Sequence, residues 1–302
     1  MAHAAAAMLN VAVVVSLVFV LVNVLPSDPA RVRLGVRYNE RDAAVIRSQY
    51  GLDRPLTTQY LLYLGQLARG ELGTSITTGE PIGRALRERL PQSLVLILFS
   101  LVWAVPWAFL GGLGAMRRSR LFGIVEATLF SLSAVPVFVL GAVTVFVGIR
   151  VFGVSLVPRD SGPGALQFLV VPSLLLAVYP AFVLFKVCRD TLARVLGEPY
   201  IRAHRALGLP ERTVVFPLAL RNVGLSLLSI TTNLAAYYLT SIYAVEFIFS
   251  LGGIGGWAVG AAQNYDVPVV LATVVVTAVI YNAVGIATSA LGPLIDPRVL
   301  RA

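Results

Sequence analysis

Long runs of apolar residues, each long enough to cross a lipid bilayer, constrain this chain more than any other feature of its sequence. A hydrocarbon core about 30 Å thick is crossed by about 20 mainly apolar residues in a helix, and the chain has about six such runs. Hydrophobic residues make up 57% of the 302 residues and charged residues only 13%, which excludes an ordinary soluble domain. The sequence therefore predicts an all-α membrane protein with about six transmembrane helices. The predicted spans are residues 8–25, 93–116, 122–152, 166–186, 223–249 and 267–294.

The positions of the arginines predict which side of the membrane each connection faces. Basic residues collect in cytoplasmic loops, and if about six spans alternate, the loops at residues 117–120 and 189–221 and the C-terminal tail share one side. That side is predicted to be cytoplasmic, with both termini facing it. The first run shows neither the basic start nor the clear cleavage site of a signal peptide, so we expect it to be retained as a helix. Residues 26–91 then form an extracytoplasmic insertion, predicted to contain two short helices near residues 39–47 and 56–67.

The sequence predicts neither a catalytic centre nor a bound cofactor. A phosphate-binding P-loop needs a lysine after glycine, and the single lysine, Lys186, lies in an apolar segment. No Gly-x-Ser-x-Gly or His-Glu-x-x-His motif occurs. Cys188 is the only cysteine, and the two histidines, His3 and His204, are far apart, so we expect no metal site. The net charge of +9 is divided into short blocks between apolar runs, so we expect no nucleic-acid partner.

Glycines cluster at residues 111–114 and 252–260. Without a preceding strand, such clusters more readily allow close helix packing or a turn than a phosphate loop. Gly252, Gly256 and Gly260 also have the small-xxx-small spacing of packed membrane helices. We therefore expect close helix packing or a turn at these glycines.

The fifth predicted span is more polar than its neighbours. It contains Asn233, Tyr237, Thr240 and Glu246, and polar residues inside membrane spans tend to face a bundle interior or a watery cavity. These residues are candidates to line a pathway for a polar solute, and the alternative is that they pack between helices.

Two further charged residues, Glu126 and Arg150, fall in or near the third span. Both are candidates for a functional role. The alternative is that they lie near helix ends and extend to the membrane surface.

A charged segment between two apolar runs, residues 198–209, is predicted to form a short amphipathic helix on the cytoplasmic side. Proline suits the first turn of a helix and glycine its end, so Pro199 and Gly208 mark the predicted bounds. Apolar and aromatic residues recur along one edge at helical spacing, while arginines point elsewhere. Such a helix can insert into a cleft of a partner protein, and the alternative is that it lies at the lipid interface. The edge residues are Tyr200, Ile201, His204 and Leu207, and the arginines are Arg202 and Arg205.

This segment resembles a known family. The EAA-type cytoplasmic loop of ABC-importer permeases of the dipeptide/oligopeptide/nickel group is similar to Tyr200-Ile201-Arg202-Ala203-His204-Arg205-Ala206-Leu207-Gly208-Leu209, followed by Ala219-Leu220-Arg221-Asn222. Further motifs that resemble this family are Leu25-Pro26-Ser27-Asp28-Pro29, Tyr50-Gly51-Leu52-Asp53-Arg54-Pro55, Arg69-Gly70-Glu71-Leu72-Gly73-Thr74-Ser75, Val245-Glu246-Phe247-Ile248-Phe249-Ser250 and Asp296-Pro297-Arg298. The sequence departs from the family's pattern at His204, Leu207 and Gly252-Gly253, where a small residue, a lysine and Pro-Gly are usual.

The resemblance implies a permease subunit of a type I ABC importer for peptides or similar small solutes, itself non-catalytic. Residues 1–302 would form one transmembrane domain, with residues 190–222 as its cytoplasmic coupling loop. The implied partners are a second homologous permease, two ABC ATPase subunits that bind ATP and Mg²⁺, an extracytoplasmic solute-binding protein, and the lipid of a bacterial-type cytoplasmic (inner) membrane. The alternative is a self-sufficient channel or secondary carrier without an ATPase. The residues implied in coupling to the ATPase are Glu198, Tyr200, Ile201, Arg202, Ala203, His204, Arg205, Ala206, Leu207, Gly208 and Leu209.

Overall fold

The computed structural model describes residues 2–24, 29–34, 38–117, 119–158, 168–208 and 210–295. Regular secondary structure in this part of the chain is helical, as predicted, and one isolated antiparallel bridge joins Thr74 and Pro81. The helices are α1 (Ala2–Val24), α2 (Pro29–Leu34), α3 (Glu40–Gln49), α4 (Leu56–Ala68), α5 (Ile82–Arg117), α6 (Arg120–Ser133), α7 (Val137–Arg150), α8 (Val170–Gly197), α9 (Pro199–Ala206), α10 (Glu211–Ile248), α11 (Ile254–Gln263) and α12 (Val267–Ile295).

Three segments are long and apolar enough to cross a membrane, namely Ile82–Gly114, Val170–Gly197 and Val267–Leu291. The count rises to four if α6 and α7 together form one broken span. Two other predicted spans fall outside this set. The apolar part of α1 is shorter, covering Ala6–Val22, and α10 has 38 residues but includes several polar side chains. Length and composition therefore identify three or four spans where the sequence predicted about six.

The predicted span at residues 122–152 is two helices, so the prediction of a single helix there was wrong. α6 and α7 meet at an angle of 90°. Pro136 precedes α7 with a ψ of 135°, and its ring disfavours helical backbone at Val135 through a steric clash. The amide of Val135 donates to the carbonyl of Leu132 at 3.3 Å, which tightens the end of α6. The apolar run thus continues through a bend that the proline imposes.

The chain divides into two compact units. The first comprises Met1–Leu94 and Ser250–Asn282, and the second comprises Val95–Phe249 and Ala283–Ala302. Because the boundaries fall within α5 and α12, each of these helices contributes to both units.

The first unit contains the short helices that the sequence predicted between the first two apolar runs. The predictions near residues 39–47 and 56–67 are confirmed as α3 and α4. The small helix α2 packs on α3 through Ala30, Ala43 and Ile46. A second apolar cluster joins α5, α11 and the start of α12, and its buried residues are Ile82, Leu86, Ile254, Ala261, Val269 and Ala272.

Asp266, in the turn between α11 and α12, holds a distant loop of the first unit. Its carboxylate accepts hydrogen bonds from the hydroxyl of Ser75 and from the backbone amides of Ile76 at 3.0 Å and Thr77 at 3.1 Å. Asp266 is only 2% exposed, and a buried carboxylate is stable only when such donors replace water. The contact fixes the loop to a residue 191 positions further along the chain.

The second unit packs α5, α6, α8 and α10 around an apolar core. At Gly111 of α5, an added Cβ would lie 2.1 Å from the carbonyl oxygen of Phe185 in α8, so only glycine permits this approach. The packing interpretation of the first glycine cluster is therefore confirmed at Gly111. The buried residues of this core are Ala104, Leu129, Ala177, Ala181, Leu184, Phe185 and Leu234.

The second glycine cluster agrees with its prediction only in part. A Cβ at Gly252 would lie 2.6 Å from Oε1 of Gln92, which is a close contact with a flexible side chain. A Cβ at Gly260 would meet no atom within 4 Å, so the expectation of tight packing there was wrong. Gly260 faces open space because it lies on the less buried side of α11.

Candidate functional site

The charged segment forms helix α9, and its two ends follow the predicted signals. The extended residue Glu198 separates α9 from α8, and its carbonyl accepts the amides of Ile201 at 3.1 Å and Arg202 at 3.3 Å. Pro199 occupies the first turn, where a missing N–H is tolerated. Gly208 ends the segment with a φ of +75°, a left-handed conformation that favours glycine.

α9 is attached to α8 by one apolar side chain. Ile201 is 0% exposed and packs against Leu192 and Val195 of α8, with Leu196 and Val223 at the edge of the cluster. The predicted apolar edge is therefore divided: Ile201 faces the protein, whereas other members of the edge are exposed. Glu198 and His204 are half-buried, and the exposed residues are Tyr200, Arg202, Ala203, Arg205, Ala206, Leu207 and Gly208.

His204, which stands where the resemblance leads us to expect a small residue, bonds to its own helix. Its Nδ1 lies 2.6 Å from the carbonyl oxygen of Tyr200. A carbonyl can only accept, so Nδ1 carries the proton in this contact. The imidazole is thereby held along α9, one turn from Tyr200.

Some residues named from the sequence lie outside the described part of the chain. They are Leu209 of the coupling segment and the resemblance motifs at residues 25–28 and 296–298.

A cluster of four charged side chains joins α6 to α8. Glu126 of α6 pairs with Arg189 and lies 3.5 Å from Nζ of Lys186, while Lys186 also lies 3.1 Å from Asp190. Glu126 was predicted from the sequence as a candidate for a functional role, but its partners were not predicted. The signal was the spacing of residues 186, 189 and 190, which places three charges on one face of a helix.

A cavity of about 270 Å³ lies where the break between α6 and α7 meets α8 and α10. The rings of Tyr179 and Tyr237 stack with their centroids 4.6 Å apart, and Ser241 lies in the same lining. This combination of aromatic and hydroxyl groups can accept a solute that has both apolar and polar parts. The lining residues are Ser133, Val135, Pro136, Val137, Phe138, Leu140, Leu175, Val178, Tyr179, Tyr237, Thr240, Ser241 and Ala244.

The structure brings two of the four predicted pathway residues to this cavity. Tyr237 and Thr240 line it, and Asn233 is exposed one turn earlier on the same face of α10. Glu246 is nine positions beyond Tyr237, on the opposite side of the helix, and is only 1% exposed. Sequence reasoning missed Tyr179, because nothing in the sequence indicates that this residue of α8 stacks on α10.

The described residues contain no group of three or more His, Cys, Asp or Glu side chains that could hold a metal ion. The polar groups that line the cavity are ring and chain hydroxyls, and the described residues of its lining include no charged side chain.

These features define a helical membrane protein in which a short helix with an exposed basic face directly follows a membrane-length helix. The chain belongs to the family described as "Binding-protein-dependent transport system inner membrane component", whose model matches residues 104–301. A second model, described as "Binding-prot-dependent transport system membrane comp, N-term", matches residues 1–97. The family predicted from the sequence is confirmed.

Several similar proteins match along almost their whole length. The dipeptide transport system permease protein DppB of Lactococcus lactis subsp. cremoris is 33% identical, with 97% of this chain and 95% of that protein aligned. The di/tripeptide transport system permease protein DppB of Pseudomonas aeruginosa is 30% identical over 94% and 93%. The glutathione transport system permease protein GsiC of Salmonella typhi is 30% identical over 95% and 94%.

Proposed function

We propose that this chain is the permease subunit of an ABC importer for peptides or similar small solutes, working without catalysis of its own. The observation that carries the proposal is the match along nearly the whole chain to permeases named for dipeptide, di/tripeptide and glutathione transport. The common element of those names is a short peptide. A peptide has charged ends and variable side chains, which suits a cavity that offers both rings and hydroxyls.

In this proposal the chain is one transmembrane domain, residues 1–302, in a bacterial-type cytoplasmic membrane, with six spans and both termini in the cytoplasm. Support for the two additional spans comes from the apolar stretch Ala6–Val22 and from the length of α10. Residues 26–91 form the extracytoplasmic insertion, and residues 190–222 form the cytoplasmic coupling loop. The distribution of arginines supports this orientation.

The partners in this proposal are a second permease, two ABC ATPases that bind ATP and Mg²⁺, and an extracytoplasmic solute-binding protein. The ATPase contacts the exposed face of α9, which presents Arg202, Arg205 and Leu207. Ile201 does not contact the ATPase; it attaches α9 to α8 through Leu192 and Val195. A displacement of α9 is therefore passed to a helix of membrane length.

The solute pathway in this proposal runs along the polar face of α10, together with the second permease. Support comes from the cavity that contains Tyr237 and Thr240 beside the α6–α7 break. Discontinuous helices at a cavity are a recurrent feature of transporter sites, because a broken helix allows its two halves to move separately. Asn233 extends the same polar face by one turn.

Reconstitution of the complete transporter in proteoliposomes tests this function. The measured quantity is the amount of peptide taken up per ATP hydrolysed, with the solute-binding protein outside the vesicle. We expect Arg205→Ala and Gly208→Ala to lower this ratio about tenfold, since each alters the exposed end of α9. Gly208→Ala acts through backbone strain at φ +75°, because a Cβ there meets no atom within 4 Å.

Arg120→Ala is the matched control, since Arg120 is an exposed arginine at the start of α6, outside residues 190–222. It should leave the ratio unchanged. Normal coupling in both α9 variants would refute the role of this helix, and uptake by the chain without any ATPase would refute the importer itself.

A further inference from the structure

Contacts within the second unit form a continuous connection from α9 to the cavity. Ile201 attaches α9 to α8. The charged cluster attaches α8 to α6. The end of α6 then lines the cavity through Ser133, beside the break at Val135 and Pro136.

Within this connection the charged cluster has an asymmetric arrangement. Glu126 is the one member that lies on α6, and its side chain is 23% exposed, less than the side chains of Lys186, Arg189 and Asp190. Asp190 pairs with Lys186 along α8, at the spacing of one helical turn. Glu126 therefore makes the ion pairs between the two helices, whereas Asp190 makes one within a single helix.

The remaining contact between α6 and α8 is apolar. Leu129 and Phe130 of α6 pack toward α8, and the rings of Phe130 and Phe182 lie 5.6 Å apart. Apolar packing depends on buried area and has little directional preference, so two helices can slide or turn against each other at low cost. Ion pairs join specific side chains and weaken as the charges separate, so those of Glu126 relate the position of α6 to that of α8.

We propose that Glu126 is a positioning residue that makes α6 follow α8 when α9 is displaced, so that the cavity changes shape with each ATPase cycle. This inference rests on the proposed function of α9. Lys186 lies 3.5 Å from a carboxylate oxygen of Glu126 and 3.1 Å from one of Asp190, so the cluster connects both acidic side chains in one arrangement.

The test uses the complete transporter in proteoliposomes and compares Glu126→Gln with Glu88→Gln, a change on α5 outside the charged cluster. Both changes remove one negative charge and preserve the shape of the side chain. We expect Glu126→Gln to lower the peptide taken up per ATP hydrolysed about tenfold while ATP hydrolysis continues. Glu88→Gln should change this ratio less than about twofold, because its ion pair with Arg84 lies within α5 and is mostly exposed.

A second variant exchanges the two charges, Glu126→Arg with Arg189→Glu, and tests whether an ion pair between α6 and α8 is sufficient for coupling. It restores one pair of opposite charges across the two helices but places an arginine near Lys186, so we expect it to recover part of the ratio lost in Glu126→Gln. A purely structural ion pair would lower uptake and ATP hydrolysis together, through the amount of folded transporter, and would leave their ratio constant.

The outcomes separate this inference from the proposed function. If the wild-type transporter couples uptake to ATP hydrolysis and Glu126→Gln takes up the same amount of peptide per ATP hydrolysed, the positioning role alone is overturned. Equal losses in Glu126→Gln and Glu88→Gln, with no recovery in the exchanged pair, would overturn it as well. Failure of the wild-type transporter to couple uptake to ATP hydrolysis would instead count against the proposed function.

Discussion

Asp266 and Glu126 are both acidic side chains that join separate segments of the chain, but they use different chemistry. Asp266, in the first unit, is 2% exposed and accepts hydrogen bonds from two backbone amides and a serine hydroxyl. Glu126, in the second unit, is 23% exposed and pairs with two long, cationic side chains. Backbone amides have fixed positions, whereas lysine and arginine side chains can move and still keep their charge near a partner.

The difference separates a buried attachment from a partly exposed one. Asp266 holds the loop at Ser75 to the start of α12 through donors that are mostly backbone amides. Glu126 joins α6 to α8 through side chains that water can reach, and Lys186 also lies 3.1 Å from Asp190. We therefore expect Asp266 to affect stability most, and Glu126 to affect coupling most.

The largest effect on stability is expected from Asp266→Ala. The change leaves the hydroxyl of Ser75 and two amides without their acceptor in a buried place, and a loss of this kind amounts to about 3 kcal/mol or more. Thermal unfolding of the purified protein in detergent measures it. Asp53→Ala is the matched control, because Asp53 is exposed. Equal unfolding temperatures for the two variants would show that Asp266 does not hold the loop.

A smaller loss of stability is expected from Glu126→Ala. Its cationic partners, Lys186 and Arg189, are 48% and 32% exposed, so water and salt screen the ion pairs. We expect a loss of about 1 kcal/mol or less, decreasing as salt is added. The same thermal unfolding series, run at low and high salt, measures this. A loss as large as that of Asp266→Ala would remove the distinction between the two carboxylates.

The smallest loss of stability is expected from removing an ion pair whose side chains are mostly exposed to solvent. Arg84 and Glu88 lie one turn apart on α5, and their side chains are 74% and 57% exposed. Glu88→Ala should cost about 0.3 kcal/mol, the usual value for such a helical pair. A loss of stability larger than that of Glu126→Ala would contradict the expectation that the loss increases with the burial of the side chain.

The sequence predicts the fold where the signals are local. The apolar runs predict the membrane-length parts of α5, α8 and α12, and Pro199 and Gly208 predict both ends of α9. The break at Pro136 was missed because the apolar run continues on both sides of it. The Asp266 contact could not be predicted, since it joins residues 191 positions apart without a pattern in either segment.

Residues of the candidate site were likewise predicted only where the signal is local to one helix. Tyr237 and Thr240 were predicted because they share a face of one helix with Asn233. Tyr179 was missed because it belongs to another helix, and the inward orientation of Ile201 depends on the position of α8. Local spacing predicts which residues share a face, but the packing of other helices decides what that face contacts.

The central claim, that this chain is the permease of an ABC importer, is tested most directly by its partners. The measurement is affinity purification of the tagged chain from its own membranes in mild detergent, followed by mass spectrometry of stoichiometric components. We expect two ABC ATPase subunits and a second permease to accompany the chain, with Arg205→Ala weakening recovery of the ATPases and Arg120→Ala leaving it unchanged. Recovery of the chain alone, under conditions that keep known transporter complexes intact, would contradict the claim.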